Sequence, residues 1–204
     1  MFYTDLGGIN TDPQSGNHAL NDSSFFGKNM FNEKLLFNID EYVSHQKLEN
    51  AGTVIPNNSD NSNELRSTKI HWMTNEKYKD SLLPIYQEIG SIVRRINDSM
   101  WGYSYNGYES FQYSEYEVGD HFNWHNDQTN FTGPTRKISF SLGLSNSNEY
   151  EGGDLVIKTS FKENHYKLDR GDIIVFPSWV LHKVTPVTKG KRRVVVGWGE
   201  GISV

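Results

Sequence analysis

Apolar residues recur at spacings of three and four through residues 32–47, which predicts an amphipathic helix with Leu35, Leu36, Ile39, Tyr42 and Val43 on its buried face. The same period carries Leu82, Ile85, Tyr86, Ile89, Val93 and Ile96 through residues 77–97 and predicts a second, longer helix. Beyond it the period falls to two. Trp101, Tyr103 and Tyr105 alternate, and residues 109–116 and 120–127 read as strands divided at Val118-Gly119. Residues 137–144 set Ile138, Phe140, Leu142 and Leu144 on one face with polar or small residues between them, the pattern of a half-buried strand. Further strands are predicted at 154–158, around 165–168, and at 172–177, 182–187 and 192–198, mostly bounded by Gly, Pro, Asn or Ser.

Between the helices, residues 50–68 are polar and loop-like, a length often used for lids or binding loops. The first thirty residues show neither period and read as an irregular segment ordered at most by Phe25 and Phe26. Two helices followed by about eight short strands predict a mostly β protein, a sandwich or jelly roll with N-terminal helices packed on one face. Residues 31–204 are expected to form a single domain after the irregular segment 1–30, with the core jelly roll at about 101–201.

Composition narrows the function classes. Zero Cys excludes disulfide frameworks, thiolate zinc sites, iron–sulfur clusters and cysteine nucleophiles, so any metal must be held by His, Asp or Glu, and 7 His are present. The 20 Lys and Arg against 25 Asp and Glu give a net charge of -5 without a basic run, which disfavours nucleic acid as the main partner. No apolar stretch long enough to span a membrane and no leader-like N-terminus are evident, so a cytoplasmic location is expected.

The sharpest chemical feature is His125-Asn126-Asp127. On a strand, residues 125 and 127 project from one face and can ligate one ion, and His182, in another strand-like run, is the candidate third ligand. Two His and one carboxylate leave three adjacent octahedral positions open, the facial arrangement that suits non-haem Fe(II) and O2. Chance alone supplies roughly 0.4 His-x-Asp pairs in a chain of this composition, so the pair needs its surroundings to carry weight. Ten residues after His182 stands Arg192, on a strand whose residues 192, 194, 196 and 198 share a face. A guanidinium there can hold a carboxylate through two parallel hydrogen bonds while Val194 and Val196 keep the pocket apolar, and Arg193 should point the opposite way, towards solvent.

At these residues the C-terminal half resembles the Fe(II)- and 2-oxoglutarate-dependent dioxygenases, specifically the prolyl 4-hydroxylase-like branch that includes the PKHD-type hydroxylases. The resemblance covers roughly residues 109–201: Tyr116, the aromatic Phe122, His125-x-Asp127, RKISFSLGLS at 136–145, YEGGDL at 150–155 and GDIIVFPSWVLHKVTPVTKGKRRVVVGW at 171–198. It implies a cupin-like double-stranded β-helix, a metal site of His125, Asp127 and His182, 2-oxoglutarate chelating Fe(II), and Arg192 on the far carboxylate with Tyr116 reaching the co-substrate. Ascorbate is a further candidate cofactor. Phe122 departs from the Tyr often found at its place, which removes a hydroxyl. The implied reaction is oxidative decarboxylation of 2-oxoglutarate to succinate and CO2 coupled to hydroxylation, with a prolyl residue of a peptide or protein as leading substrate.

Alternatives stay open at this level. A free amino acid or another small molecule can replace the peptide, and a non-catalytic metal-binding jelly-roll module is the rival of another class. A zinc hydrolase on the same ligands would need a general base, and no Glu motif for one is evident. His121 falls on the alternating face of 125 and 127 and is the competing ligand, unless a bulge near residues 119–123 turns it to the pocket rim. His18, His45, His71 and His165 lack partners at ligand spacing, and Trp124 and Trp198 read first as core packing. The oligomeric state is not encoded in any of these features.

Overall fold

A computed structural model describes residues 23–51, 65–74, 79–128, 134–159 and 162–202. His18, most of the N-terminal segment read as irregular, and most of the loop expected at 50–68 lie outside the described residues.

Helix α1 (Glu33–Ser44) starts where the side chain of Asn32 accepts a hydrogen bond from the Leu35 amide at 3.0 Å, an N-cap that satisfies one of the orphan donors of the first turn. Its Leu35, Leu36, Ile39 and Tyr42 are buried, as their spacing requires. Helix α2 (Lys79–Met100) buries Leu82, Ile85, Ile89, Ile92, Val93 and Ile96. It stops at Gly102, whose φ of 66° lets the chain turn left-handed, and Asn97 clamps the exit by bonding both the amide and the carbonyl of Tyr103. The alternating aromatics at 101–105 therefore follow a clamped loop and not a strand.

The strands are β1 (Phe25–Gly27), β2 (Glu49–Asn50), β3 (Arg66–Ser67), β4 (Lys69–Trp72), β5 (Gly107–Tyr108), β6 (Gln112–Tyr116), β7 (His121–His125) and β8 (Pro134–Gly143). They continue as β9 (Tyr150–Gly152), β10 (Leu155–Lys158), β11 (Glu163–Tyr166), β12 (Ile173–Pro177), β13 (His182–Val184), β14 (Val187–Gly190) and β15 (Arg192–Ile202). Their pairings are antiparallel and form a large sheet in the order β1-β12-β8-β15-β6-β4-β2, with β5 also on β15, a smaller sheet β11-β10-β13-β7-β3, and the ribbon β14-β9. Short strands at residues 25–72 thus extend both sheets, a contribution that their weak periodicity did not announce. The single strand expected at 182–187 is split in two around Pro186, which has no amide to donate to a ladder.

Two cores result. One lies between the helices and the outer face of the large sheet, where Leu36, Ile39, Ile85, Ile89, Phe140 and Val195 meet. The other lies between the sheets and includes Leu155, Ile157, Ile174, Phe176 and Val194. This is the expected jelly roll with helices on one face, and the inter-sheet space is where a site is built.

Candidate metal centre and acid pocket

β13 and β7 run side by side with His182 directly opposite His125. Asp127 follows just past the end of β7, its amide donating to the Ser178 carbonyl at 2.8 Å. His125, Asp127 and His182 each offer a donor atom, and the three atoms lie within 4.8 Å of one another. The Asp127 carboxylate is 3.8 Å from His125 Nε2 and 3.6 Å from His182 Nε2.

Both imidazoles are pre-oriented by backbone. Nδ1 of His125 lies 2.7 Å from the Asn123 carbonyl and Nδ1 of His182 lies 2.9 Å from the Val180 carbonyl. A carbonyl only accepts, so each Nδ1 carries the proton, and in the neutral ring Nε2 presents its lone pair to the centre. Burial, reinforced by the neighbouring His182, pushes His125 down to about 4, which keeps that ring neutral at physiological pH. For Asp127, burial acts to raise the pKa. The two imidazoles and hydrogen bonds from Trp198 and Ser139 outweigh it and hold the carboxyl below its ordinary value, hence ionised. Two imidazole nitrogens and one carboxylate, oriented by their own hydrogen bonds, fit Fe(II) by donor type and would leave coordination positions for other ligands.

His121 is not part of this group. The β13–β7 pairing skips from His182 opposite His125 to Val184 opposite Phe122, three residues against two, so a bulge at 123–124 exchanges the faces. Phe122 is thereby turned into the cavity and stacks on His125, ring centroids 3.5 Å apart, while the His121 ring reaches the Gly119 carbonyl outside.

The triad lies in a narrow cavity of about 50 Å³ that Tyr116 and Arg192 also line. Arg192 is opposite Tyr116 in the β15–β6 ladder, with its guanidinium 5.1 Å from the tyrosine ring centre. The side chain is 2% exposed, and its Nε and Nη1 have no hydrogen-bond partner among the described residues. Tyr150 bonds the guanidinium and donates its hydroxyl proton to the Leu168 carbonyl at 2.6 Å. Gly153, at φ 64°, makes room, since a Cβ there would sit 2.9 Å from Arg192 Cδ. The YEGGDL turn therefore has a purpose at the site: Tyr150 holds the guanidinium and Gly153 clears its stem.

Strand alternation sends Arg193 the other way, to Asp40 at 3.7 Å and Glu149 at 3.9 Å, so it is half-buried against α1 and not free in solvent. Five buried side-chain polar atoms lack a partner among the described residues, and four of them, on Arg66, Ser141 and Arg192, belong to residues lining this cavity. Orphan donors cost free energy in a closed interior, so their concentration at one place marks a site for a polar ligand.

Sequence reasoning missed several members. Trp198 packs in the cavity wall as expected of a core residue, yet its indole also bonds Asp127, and Arg136 lies 3.8 Å over its ring. The shared face of 192 and 198 was the available signal. Ser139, Tyr150, Gln112 and Arg66 left no periodic trace. The remaining histidines fall elsewhere, His45 beside Glu41, His71 beside the Tyr42 hydroxyl and His165 beside Asp154. Trp124 lies under Lys183 and Lys158.

Residues 111–200 match the family model of the 2OG-Fe(II) oxygenase superfamily. A PKHD-type hydroxylase of Idiomarina loihiensis is 40% identical over 89 residues, 44% of this chain and 41% of that protein. The chain spans about two fifths of the length of the curated relatives it matches. In three dimensions it is similar to a Pseudomonas putida prolyl-4-hydroxylase, with a TM-score of 0.67, 17% identity and coverage of 89% of this chain and 94% of that one. A Trichoplax adhaerens prolyl hydroxylase in complex with a peptide fragment of the hypoxia inducible factor oxygen degradation domain gives a TM-score of 0.69 at 20% identity, covering 88% and 84%. The family match therefore spans Tyr116, His125, Asp127, His182 and Arg192, the PKHD-type hydroxylases are similar over a stretch of comparable length, and the fold is the jelly roll seen in the prolyl hydroxylases.

Proposed function

We propose that this protein is an Fe(II)- and 2-oxoglutarate-dependent dioxygenase in which His125, Asp127 and His182 hold the metal, Arg192 and Tyr116 hold the co-substrate, and residues 31–204 work as one domain. The observation that carries this reading is the meeting, in one cavity, of a two-His-one-carboxylate donor set with a buried guanidinium whose Nε and Nη1 have no partner among the described residues. A metal site alone would serve a binding module. A desolvated cation without a counter-ion asks for a carboxylate, and 2-oxoglutarate supplies it.

The overall reaction joins 2-oxoglutarate, O2 and a C–H bond to give succinate, CO2 and an alcohol. Bound Fe(II) supplies the activation of O2. The protein supplies geometry and a dry enclosure. Trp198 and Ser139 orient the Asp127 carboxylate, the Asn123 and Val180 carbonyls fix the imidazoles, and Tyr150 aims Arg192. Val194 and Phe176 belong to the apolar packing that keeps bulk water from the pocket.

For the substrate, a prolyl residue of a peptide or protein is the leading reading, supported by the PKHD-type relatives and by the peptide-bound prolyl hydroxylase of like fold. An open groove of about 570 Å³, with Lys47, Asn50, His71 and Trp72 among its walls, shares Arg66 and Gln112 with the inner cavity and can receive an extended chain.

The test is anaerobic addition of Fe(II) and 2-oxoglutarate to the metal-free protein. The weak visible charge-transfer band of a chelated 2-oxo acid is expected in the parent, absent in Asp127→Ala and weakened in Arg192→Ala. Bound iron without the band in the parent would move the binding-module reading ahead.

A further inference from the structure

The cavity has a second arginine without an ion pair among the described residues, where it meets the outer groove. Arg136, Arg170 and Arg193 are each ion-paired to a carboxylate. Arg66 and Arg192, which both line the cavity, are in no ion pair among the described residues and keep buried N–H groups without a partner. Arg192 has its acid in the proposed co-substrate. Arg66 has none.

Its placement is fixed and not a matter of a loose side chain. The Arg66 backbone pairs with Phe122 in the β3–β7 ladder. The guanidinium lies 4.7 Å from the centre of the Phe122 ring, which in turn stacks on His125. One terminal nitrogen, Nη2, donates to Gln112 Oε1 at 2.7 Å, and Ser114 donates to the same oxygen at 3.3 Å, so Gln112 is held as an acceptor that steadies the arginine. Nε remains buried and unpartnered. Arg66 and Gln112 also line the outer groove, so a molecule lying there with a C–H bond over the metal ligands would pass this guanidinium.

We infer that Arg66 is a specificity-determining residue that binds a carboxylate of the prime substrate, at the junction of groove and cavity. This rests on the oxygenase reading for the identity of the substrate, but not for the existence of the anion site. A planar fork lying over an aromatic ring, with no acid of its own among the described residues, is complementary to a carboxylate and poorly matched to a cation or an apolar group. The carboxylate has two chemical sources, the α-carboxylate of a free or C-terminal residue, or an acidic side chain next to the residue that is hydroxylated.

Three probes separate them: a proline-containing tripeptide amide with a neighbouring Glu, the same peptide with Gln, and the Gln peptide ending in proline with a free carboxylate. Binding is read by tryptophan fluorescence, since Trp72 and Trp198 flank the path, and oxidation is read by a mass gain of one oxygen atom. One of the two acidic probes should bind about tenfold or more tighter than the neutral amide, and Arg66→Gln should collapse that preference to about twofold or less. Arg66→Lys, which keeps the charge but not the fork, should retain part of it. The 2-oxoglutarate KM should move by less than about threefold in Arg66→Gln, which distinguishes the role from that of Arg192.

Equal binding of all three probes to the parent, or an acid preference that survives in Arg66→Gln, overturns the inference. A preference lost in Arg66→Gln without oxidation of any probe or consumption of 2-oxoglutarate by the parent upholds the anion site and counts instead against the oxygenase reading.

Discussion

The two faces of the large sheet are both buried, yet they are made of different chemistry. On β8, Ile138, Phe140 and Leu142 enter the core under the helices, while Ser139 and Ser141 face the space between the sheets. On β6, Tyr113 goes to the helix side and Gln112, Ser114 and Tyr116 to the cavity. On β15, Val195 goes to the helix side, and Arg192, Val196 and Trp198 to the cavity. A strand with one apolar and one polar face ordinarily has water on the polar side. Here the polar side meets a second sheet, and its small and hydrogen-bonding residues leave room for ligands. The helix face is where stability is concentrated, and the cavity face is where polar groups are held at some cost to stability for the sake of chemistry.

The largest effect that tests this division is Asp127→Ala. Turnover should fall about a thousandfold or more, because two imidazoles without the carboxylate retain neither the charge balance nor the third donor. The far-ultraviolet circular dichroism should be unchanged, since Asp127 packs in neither hydrophobic core. Appreciable oxidation by this variant would remove the cavity face from the chemistry. Next comes the pair Arg192→Ala and Arg193→Ala. The first should raise the 2-oxoglutarate KM about a hundredfold, since a buried, otherwise unpaired guanidinium loses its whole interaction with the acid. The second should raise it less than about threefold, because Arg193 is engaged with Asp40 and Glu149 on the opposite face. Equal effects would mean that the β15 register is shifted by one.

On the helix side the effect should be on stability alone. Ile39→Ala empties a fully buried position of α1 and should cost about 2–5 kcal/mol. For a chain of this size that corresponds to a fall of roughly 5–15 °C in Tm, measured by thermal denaturation. The kcat of the folded fraction at low temperature should stay within about twofold of the parent. A selective loss of kcat would show that the two faces are mechanically coupled across the sheet.

Much of this division could be read from the sequence, and the limits have physical causes. The helices were legible because their buried faces are uniformly apolar at a period of 3.6. His125, Asp127, His182 and Arg192 could be picked out as candidates because strand geometry gives 125 and 127 one direction and puts 192 on the face shared with 194, 196 and 198, and the structure gathers all four in one cavity although Asp127 itself lies just past the end of β7. What alternation could not tell was whether the polar face of β8 meets water or a ligand cavity, since both select Ser over Leu. Alternation alone left His121 as a competing ligand, and the bulge weighed for residues 119–123 falls at 123–124, where it exchanges His121 for Phe122 inside. Arg66, Trp198 and Tyr150 reach the site from three strands distant in sequence, and pairwise spacing along one strand has no way to bring them together.

Trp198→Phe is the smallest and most pointed of these changes. The substitution keeps an aromatic wall beneath Arg136 and removes the indole N–H that bonds Asp127. If the cavity face works by orienting its first ligands through their neighbours, Fe(II) affinity should fall about tenfold, measured by competition with a chromophoric chelator. Tm should shift by no more than about a few degrees, because the lost volume is small and Trp198 keeps 7% of its surface exposed at the cavity. Unchanged metal affinity would make Trp198 a packing residue after all. Ser139, itself tied to Ser178 at 2.9 Å, would then have to orient the carboxylate alone, and Ser139→Ala should show the tenfold loss in its place.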